Sequence, residues 1–274
     1  MADLGFDGKV AIITGAGGGL GRQHALLLAS RGAQVVINDL GGIAVADTHS
    51  VASPDGGAAI VKTALDAFGR VDIVINNAGI LRDKTFHNMD AELLDPVIDV
   101  HLKGAFNVTR PAWVTMREQG YGRVVSTSSA AGIFGNFGQT NYGAAKMGLV
   151  GFTRVLAVEG AKYNIKANVI APLALTRMTE DIMGPMASKV APEKVSPVVA
   201  FLAHEDCPVS GEIYSVAGGR VARVFIAETR GFYKDGLTME DVRDNFDTIR
   251  DETGYAVPSN LGEETALYLP YFRN

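Results

Sequence analysis

The stretch KVAIITGAGGGLGR, residues 9–22, constrains this chain more than any other. Lys9 to Thr14 is an apolar run of strand length, and Leu20 to Ser30 continues as a helix. Between them lies TGAGGGLG, which places Gly15, Gly19 and Gly21 around Leu20. A strand, a glycine turn and a helix in that order predict a parallel sheet with the turn at the carboxyl end of the strand. Glycines there let the backbone turn tightly and approach a pyrophosphate, whose charge meets the helix N-terminus. In this setting the loop reads as a dinucleotide site; without the flanking strand and helix it would be only a tight turn. The next apolar run, AQVVIND, ends on Asp39. A carboxylate at that place hydrogen-bonds the adenosine ribose hydroxyls and repels a ribose phosphate, which favours NAD over NADP.

Further apolar runs alternate with helical patterns along the chain. Strands are expected at Ile43–Ala46, Val71–Asn76, Arg123–Ser126, Lys166–Ile170 (ending at Pro172) and Glu212–Val216. Helices are expected at Gly57–Phe68, at Glu92–Met116 with a kink near Gly104, at Asn141–Tyr163 and at Val195–Ala203. This alternation predicts an α/β, doubly wound, Rossmann-type parallel sheet covered on both faces. It forms a single domain over residues 6–219 with a C-terminal extension over 220–274, in which TMEDVRDNFDTIRDETG reads as a polar amphipathic helix. One place breaks the scheme. Parallel neighbours need a crossover of a dozen or more residues, yet only LGG separates Asp39 from Ile43. Either that connection is unusual or a segment is missing between Gly42 and Ile43.

The bulk properties exclude several classes. A net charge of −5 gives no case for nucleic acid or an anionic membrane surface. The one cysteine, Cys207, allows no intrachain disulfide. No apolar run approaches the length of a membrane helix, the first residues lack a signal segment, and no metal site is expected. A soluble cytoplasmic protein is the expectation.

YGAAK puts Tyr142 four positions before Lys146, one turn apart on a single helix face. A phenol ionises near ~10, and a neighbouring cation lowers that value. A general base works best with its pKa near the operating pH. The pair therefore reads as a candidate base and its electrostatic helper, with Ser129 in STSSAAG upstream.

TGAGGGLG, NNAG at 76–79, Ser129 thirteen positions before Tyr142, and Lys146 occur in one order. Together they resemble the short-chain dehydrogenase/reductase family over residue 6 to about 219. NNAG resembles the family stretch lining the cofactor site, which implies cofactor roles for Asn77, Ala78 and Gly79. FDGKVAIITGAGGGLGR, NDLGG, KTALDAFGRVDIVINNAGILRD and GIFGNFGQTNYGAAK resemble, more narrowly, the (3R)-hydroxyacyl-CoA dehydrogenases of the multifunctional enzyme type 2 group. The resemblance implies NAD-dependent oxidation of a 3-hydroxyacyl-CoA, with a bulky or steroid-like acyl group within range. It also implies that Tyr142 takes the hydroxyl proton and Ser129 orients the substrate oxygen. Lys146 would bond the nicotinamide ribose and hold down the tyrosine pKa.

The departures are specific. His101 in VHLKGAF stands where the family commonly has asparagine, and an imidazole there could join a proton relay. Pro172-Leu173 replaces the usual Pro-Gly; Pro172 and Thr176 are the expected nicotinamide-side residues, with Arg177 as the alternative to Thr176. His49 replaces an adenine-contacting aspartate, leaving Ser50 and Val51 to line the adenine pocket. Residues 173–195 occupy the place of a substrate lid, in which Met178, Met183 and Met186 could form an apolar wall or pack into the core. A homodimer or homotetramer is expected through the helix that begins at Asn141. Between residues 220 and 234, Arg220, Arg223, Arg230 and Lys234 face only Glu228, a charge suited to coenzyme A phosphates or to pairing with the acidic residues of 240–252. A hydroxysteroid or other secondary-alcohol dehydrogenase shares the catalytic set, and Asp39 argues against an NADP-dependent ketoacyl reductase. A nonenzymatic dinucleotide-binding regulator is the alternative of another class, against which the intact Ser129, Tyr142 and Lys146 argue.

Overall fold

The computed structural model describes residues 4–38, 45–180 and 184–272. Eight strands form one sheet in the order β3-β2-β1-β4-β5-β6-β7-β8. They are β1 Val10–Thr14, β2 Gln34–Asn38, β3 Val45–Asp47, β4 Ile73–Asn76, β5 Gly122–Thr127, β6 Ile165–Leu173, β7 Ile213–Ala217 and β8 Arg220–Val224. All pairings from β3 through β7 are parallel. The order reverses direction at β1 and β4, so the carboxyl ends of those strands form the crevice where doubly wound folds bind ligands.

Period-two burial explains why β1 is apolar throughout. Ala11 and Ile13 pack with Ala25 and Leu28 of α1 (Gly19–Ser30) and with Val199 and Leu202 of Ser196–Ala203. Val10 and Ile12 face the other way, onto Ile60, Val61 and Ala64 of α2 (Pro54–Phe68). The same layer holds Val108, Ala112 and Met116 from the helix Gly104–Gln119. Both faces are covered, as parallel sheets require.

Several expectations shift. The helix expected from Glu92 is two helices, α3 (Ala91–Ile98) and α4 (Gly104–Gln119), joined by a π-helical turn at Asp99–Lys103. α2 begins at Pro54 because Ser53 caps it by accepting from Gly56 N. A short helix, α5 (Ala130–Phe134), precedes α6 (Thr140–Gly160), and Ser196–Ala203 is α7. β6 runs through Pro172 to Leu173. Beyond β7, Gly218 and Gly219 at φ 55° and 96° make the turn into β8, which the sequence pattern did not show. The third strand is Val45–Asp47, and it pairs parallel with β2 at Val36↔Val45 and Asn38↔Asp47. The crossover between these strands, including Asp39 and the Gly42–Ile43 junction, lies outside the described residues.

The chain divides into two compact units, Met1–Arg223 and Val224–Asn274. Within the second, the expected amphipathic helix is two short ones, α8 (Met239–Asp244) and α9 (Phe246–Arg250), followed by α10 (Leu261–Tyr268). Thr238 and Asp241 form a reciprocal capping box at the start of α8. No helix among the described residues is long and apolar enough to cross a membrane.

Candidate active site

After β1 the chain turns through Gly15 at φ 63° and Gly19 at φ 50°. The loop is tight on its protein side. A Cβ on Gly15 would lie 2.8 Å from Ala78 Cα, and one on Gly21 would lie 2.5 Å from both Gly15 O and Asn77 Nδ2. On its outer side it is open: a Cβ on Gly18 would meet nothing within 4 Å. Gly18 caps α1 without any side-chain acceptor, so the first-turn N–H groups are available to an anion. These residues fit the pyrophosphate of a dinucleotide.

The strand ends are tied together by Thr14. Its Oγ1 accepts from Asn77 N and Ala78 N at 3.0 and 3.1 Å, while Asn77 Nδ2 donates to Thr14 O and Gly15 O at 3.0 Å each. Asn77, Ala78 and Gly79 thus lie directly beside the glycine loop. Thr176, after β6, closes over it: Thr176 Cγ2 would lie 3.5 Å from a Cβ on Gly19. Leu20 is half-buried in the first turn of α1, and Pro172 pairs with Val216 one strand away. Arg177 and Met178 are exposed; the side chains of Met183 and Met186 lie outside the described residues.

At the β2–β3 edge, Val51 is buried and its carbonyl accepts from Asn107 Nδ2 at 2.9 Å. Ser50 is exposed, with Oγ accepting from Ala52 N at 3.2 Å. The buried side chain here is Asp47, which accepts from Asn38, Thr63 and the His49 backbone at 3.0, 2.7 and 2.9 Å. Burial pushes the Asp47 carboxyl up, but these hydrogen bonds outweigh it and leave the carboxyl below its ordinary range. Sequence reading passed over Asp47 because its partners come from other elements.

Ser129, Tyr142 and Lys146 meet at the carboxyl end of β5. Ser129 caps α5, its Oγ accepting from Ala131 N at 3.1 Å. Asn141, also missed in the sequence, pins the start of α6. Its Nδ2 donates to Arg82 O and Leu93 O at 2.9 and 2.8 Å, and its Oδ1 accepts from Tyr142 N at 2.7 Å. Lys146 is buried and donates to Thr127 O at 2.6 Å, with its ammonium 5.4 Å from the centre of the Tyr142 ring. Ser128 Oγ donates to Lys146 O at 2.7 Å and fixes that turn.

The electrostatics differ from the expectation. Burial raises the Tyr142 hydroxyl above its ordinary value, and the hydrogen bond with Ser129 only opposes that. Burial also lowers Lys146 to about 7. A lysine so desolvated holds its charge weakly near neutral pH, so it does not pull the tyrosine below its ordinary value in this structure. His101 is buried beside the pair, its ring edge-on to Tyr142 at a centroid distance of 5.2 Å.

The basic stretch after β7 is largely paired within the protein. Arg223 meets Glu212 at 3.2 Å, Arg230 Nε donates to Gly254 O at 3.3 Å, and Lys234 pairs with Asp241 at 2.6 Å. Of the two roles its charge suits, pairing with the acidic residues of 240–252 is the one seen at Lys234.

Residues 9–185 match the short chain dehydrogenase family. A Mycobacterium tuberculosis protein named as a short-chain type dehydrogenase/reductase is 50% identical over 91% of this chain and 96% of its own length. The hydroxyacyl-CoA dehydrogenase ChsB1 of the same organism is 39% identical over 90% of this chain and 89% of its own. Full-length peroxisomal multifunctional enzyme type 2 from Drosophila melanogaster superposes with a TM-score of 0.84 at 37% identity. That match takes in 98% of this chain but 50% of the Drosophila chain, so the chain spans half the length of that enzyme. With its glycine cradle and the Ser129, Tyr142 and Lys146 cluster at the ends of a doubly wound sheet, the chain belongs to the short-chain dehydrogenase/reductase family of oxidoreductases.

Proposed function

We propose that this protein is an NAD-dependent dehydrogenase that interconverts a 3-hydroxyacyl-CoA and a 3-oxoacyl-CoA. The observation that carries this reading is the convergence of Ser129, Tyr142 and Lys146 at the carboxyl end of β5, along the same edge of the parallel sheet as the glycine loop after β1. The name of its relative ChsB1 supports the substrate class. In this reading Tyr142 Oη removes the substrate hydroxyl proton. Ser129, which shares a hydrogen bond with that hydroxyl, orients the substrate oxygen. Lys146 lies under the tyrosine and meets the cofactor ribose. The nicotinamide, when bound, takes up the hydride from the carbinol carbon. Asn77, Ala78, Gly79, Val51 and Thr176 line the course of the cofactor, and the acidic character of residue 39 in the sequence favours NAD over NADP. A bulky or steroid-like acyl chain belongs to the same reading.

The test is turnover of a 3-hydroxyacyl-CoA panel and free hydroxysteroids with NAD or NADP. Reduced cofactor should form with the CoA esters and NAD at least ~10-fold more efficiently than with NADP, since a phosphate would face a carboxylate. Equal efficiency with both cofactors refutes the cofactor assignment, and turnover of free steroids alone refutes the substrate class.

The proposal extends to a homo-oligomer built on α6. Ala144, Met147, Gly151, Val155 and Val158 are exposed on it. Each lies three or four residues from the next, which draws one stripe of small and apolar side chains. A symmetry-related copy of the same helix is its natural cover. Val155→Glu with Val158→Glu should convert the assembly to monomers by light scattering; a wild-type monomer at micromolar concentration would refute the interface.

A further inference from the structure

A cleft of about 500 Å³ opens within the second unit, Val224–Asn274. That volume lies in the range of small-molecule sites. All of its lining residues belong to this unit, so the cleft is separate from the residues gathered around Tyr142. One wall is the stretch from Glu228 to Tyr233, and the other is the end of the chain, with Tyr268, Tyr271 and Phe272. Glu228 is held extended by an antiparallel bridge: its N donates to Ala256 O at 2.9 Å, and Ala256 N donates back to Glu228 O at 2.8 Å.

Two opposite charges line this cleft. Residues two apart on an extended chain share one side, which puts Glu228 and Arg230 together while Thr229 Oγ1 donates to Ile249 O at 2.7 Å. Arg230 is held in place by Gly254. Its Nε donates to Gly254 O at 3.3 Å, and a Cβ on Gly254 would lie 2.7 Å from both Nε and Nη2. Neither Glu228 nor Arg230 forms an ion pair among the described residues, with the other or with a third group. A cleft that keeps a carboxylate and a guanidinium apart, both facing one space, is complementary to a ligand that carries both signs itself.

The rings narrow the class. Tyr233 stacks on Tyr271 at a centroid distance of 4.9 Å, and Phe272 stands at 72° to Tyr233. Tyr233 is 46% exposed, Tyr271 42% and Phe272 68%, so much of these rings is open to a ligand. Aromatic faces attract cations. An ammonium with three protons needs three acceptors, whereas an alkylated ammonium needs none and suits a wall of rings. The field of the unit points the same way: Val224–Asn274 holds ten Asp and Glu against five Lys and Arg. That balance favours a cationic group and opposes a polyanion such as a nucleotide.

We propose that this cleft is a second ligand site, which takes a zwitterion made of a quaternary ammonium joined to a carboxylate or phosphate. The ammonium lies against the rings on the side of Glu228, and the anionic group meets Arg230 through paired hydrogen bonds. Extended chain advances ~3.3 Å per residue, so the Glu228 and Arg230 Cα atoms are roughly 7 Å apart. A ligand with its charges well separated fits this span better than one with its charges adjacent.

The experiment is isothermal titration calorimetry of the full chain. γ-Butyrobetaine, with three methylenes between its charges, should bind saturably with Kd below ~1 mM and at least ~5-fold more tightly than glycine betaine, with one. 5,5-Dimethylhexanoate has the shape of γ-butyrobetaine but a carbon in place of the nitrogen, and should bind at least ~10-fold more weakly. This comparison needs no variant. Glu228→Gln and Arg230→Gln should each weaken γ-butyrobetaine at least ~5-fold, with melting temperatures recorded for both. Pelleting with phosphatidylcholine vesicles that γ-butyrobetaine competes away would assign the site to a lipid headgroup, and no pelleting would assign it to a free zwitterion. The absence of saturable γ-butyrobetaine binding overturns the proposal. So does equal binding of the carbon isostere, which would make the cleft an apolar groove only, or unchanged affinity in both charge variants.

Discussion

Tyr142→Phe is expected to lower turnover at least ~100-fold while leaving NADH affinity within about twofold of wild type. The substitution deletes one oxygen and keeps the ring, so the edge-on contact with His101 survives. What disappears is the tyrosine hydroxyl that meets Ser129 beside Lys146. The free protein holds that hydroxyl protonated, because burial raises it above its ordinary value. Alcohol oxidation needs the deprotonated form, so the wild-type rate should climb as pH rises through neutrality and beyond. The phenylalanine variant should lose this climb with its residual activity. The measurements are kcat against pH and an NADH titration of both proteins. Near-normal turnover in the variant would sink the assignment of Tyr142 as proton acceptor. Loss of NADH binding in step with turnover would show that the hydroxyl supports the site and not the chemistry.

The parts of this molecule that are periodic in sequence were legible there. KVAIIT faces two cores with alternate residues, and a glycine run between strand and helix has few uses. Lys146 and Tyr142 meet because a helix makes them meet. What the sequence concealed depends on partners distant along the chain. Asn141 looks like any polar residue near a helix start until Arg82 O and Leu93 O arrive to accept from it. Asp47 is one more acidic residue until Asn38 and Thr63 donate to it. The π turn has no marker in DVHLK; Gly104 attracted attention as a kink, whereas the irregular turn ends at Lys103 and Gly104 opens α4. Burial raises Tyr142 and lowers Lys146 in the free protein, and the spacing could not show this, since it gives proximity and says nothing about desolvation.

The short β2–β3 connection was legible as an anomaly. The two strands are parallel neighbours, and such neighbours ordinarily need a long crossover. The match to the M. tuberculosis relative runs over 276 positions but covers 91% of this 274-residue chain, about 249 residues. The relative therefore supplies about 27 residues that this chain does not have (276 less 249).

Gly21→Ala should both loosen the fold and weaken NADH binding at least ~30-fold, or about 2 kcal/mol. The added Cβ would sit 2.5 Å from Gly15 O, 2.5 Å from Asn77 Nδ2 and 2.9 Å from Ala16 Cα. The oxygen and Cα are backbone atoms that cannot rotate away, so α1 must withdraw from β1 or the loop must open. Overpacking of this kind costs ~1–3 kcal/mol in stability. The Asn77 amide is displaced at the same time, and with it the bonds to Thr14 O and Gly15 O that set NNAG beside the loop. Gly18→Ala separates the two effects. Gly18 is extended, at φ −154°, and a Cβ on it would meet nothing within 4 Å. Its melting temperature should match wild type, while NADH affinity should fall if the open side of the loop is where the pyrophosphate lies. Gly21→Ala with unchanged melting temperature and unchanged affinity would contradict the packing argument. Gly18→Ala with unchanged affinity would move the pyrophosphate away from the N-terminus of α1.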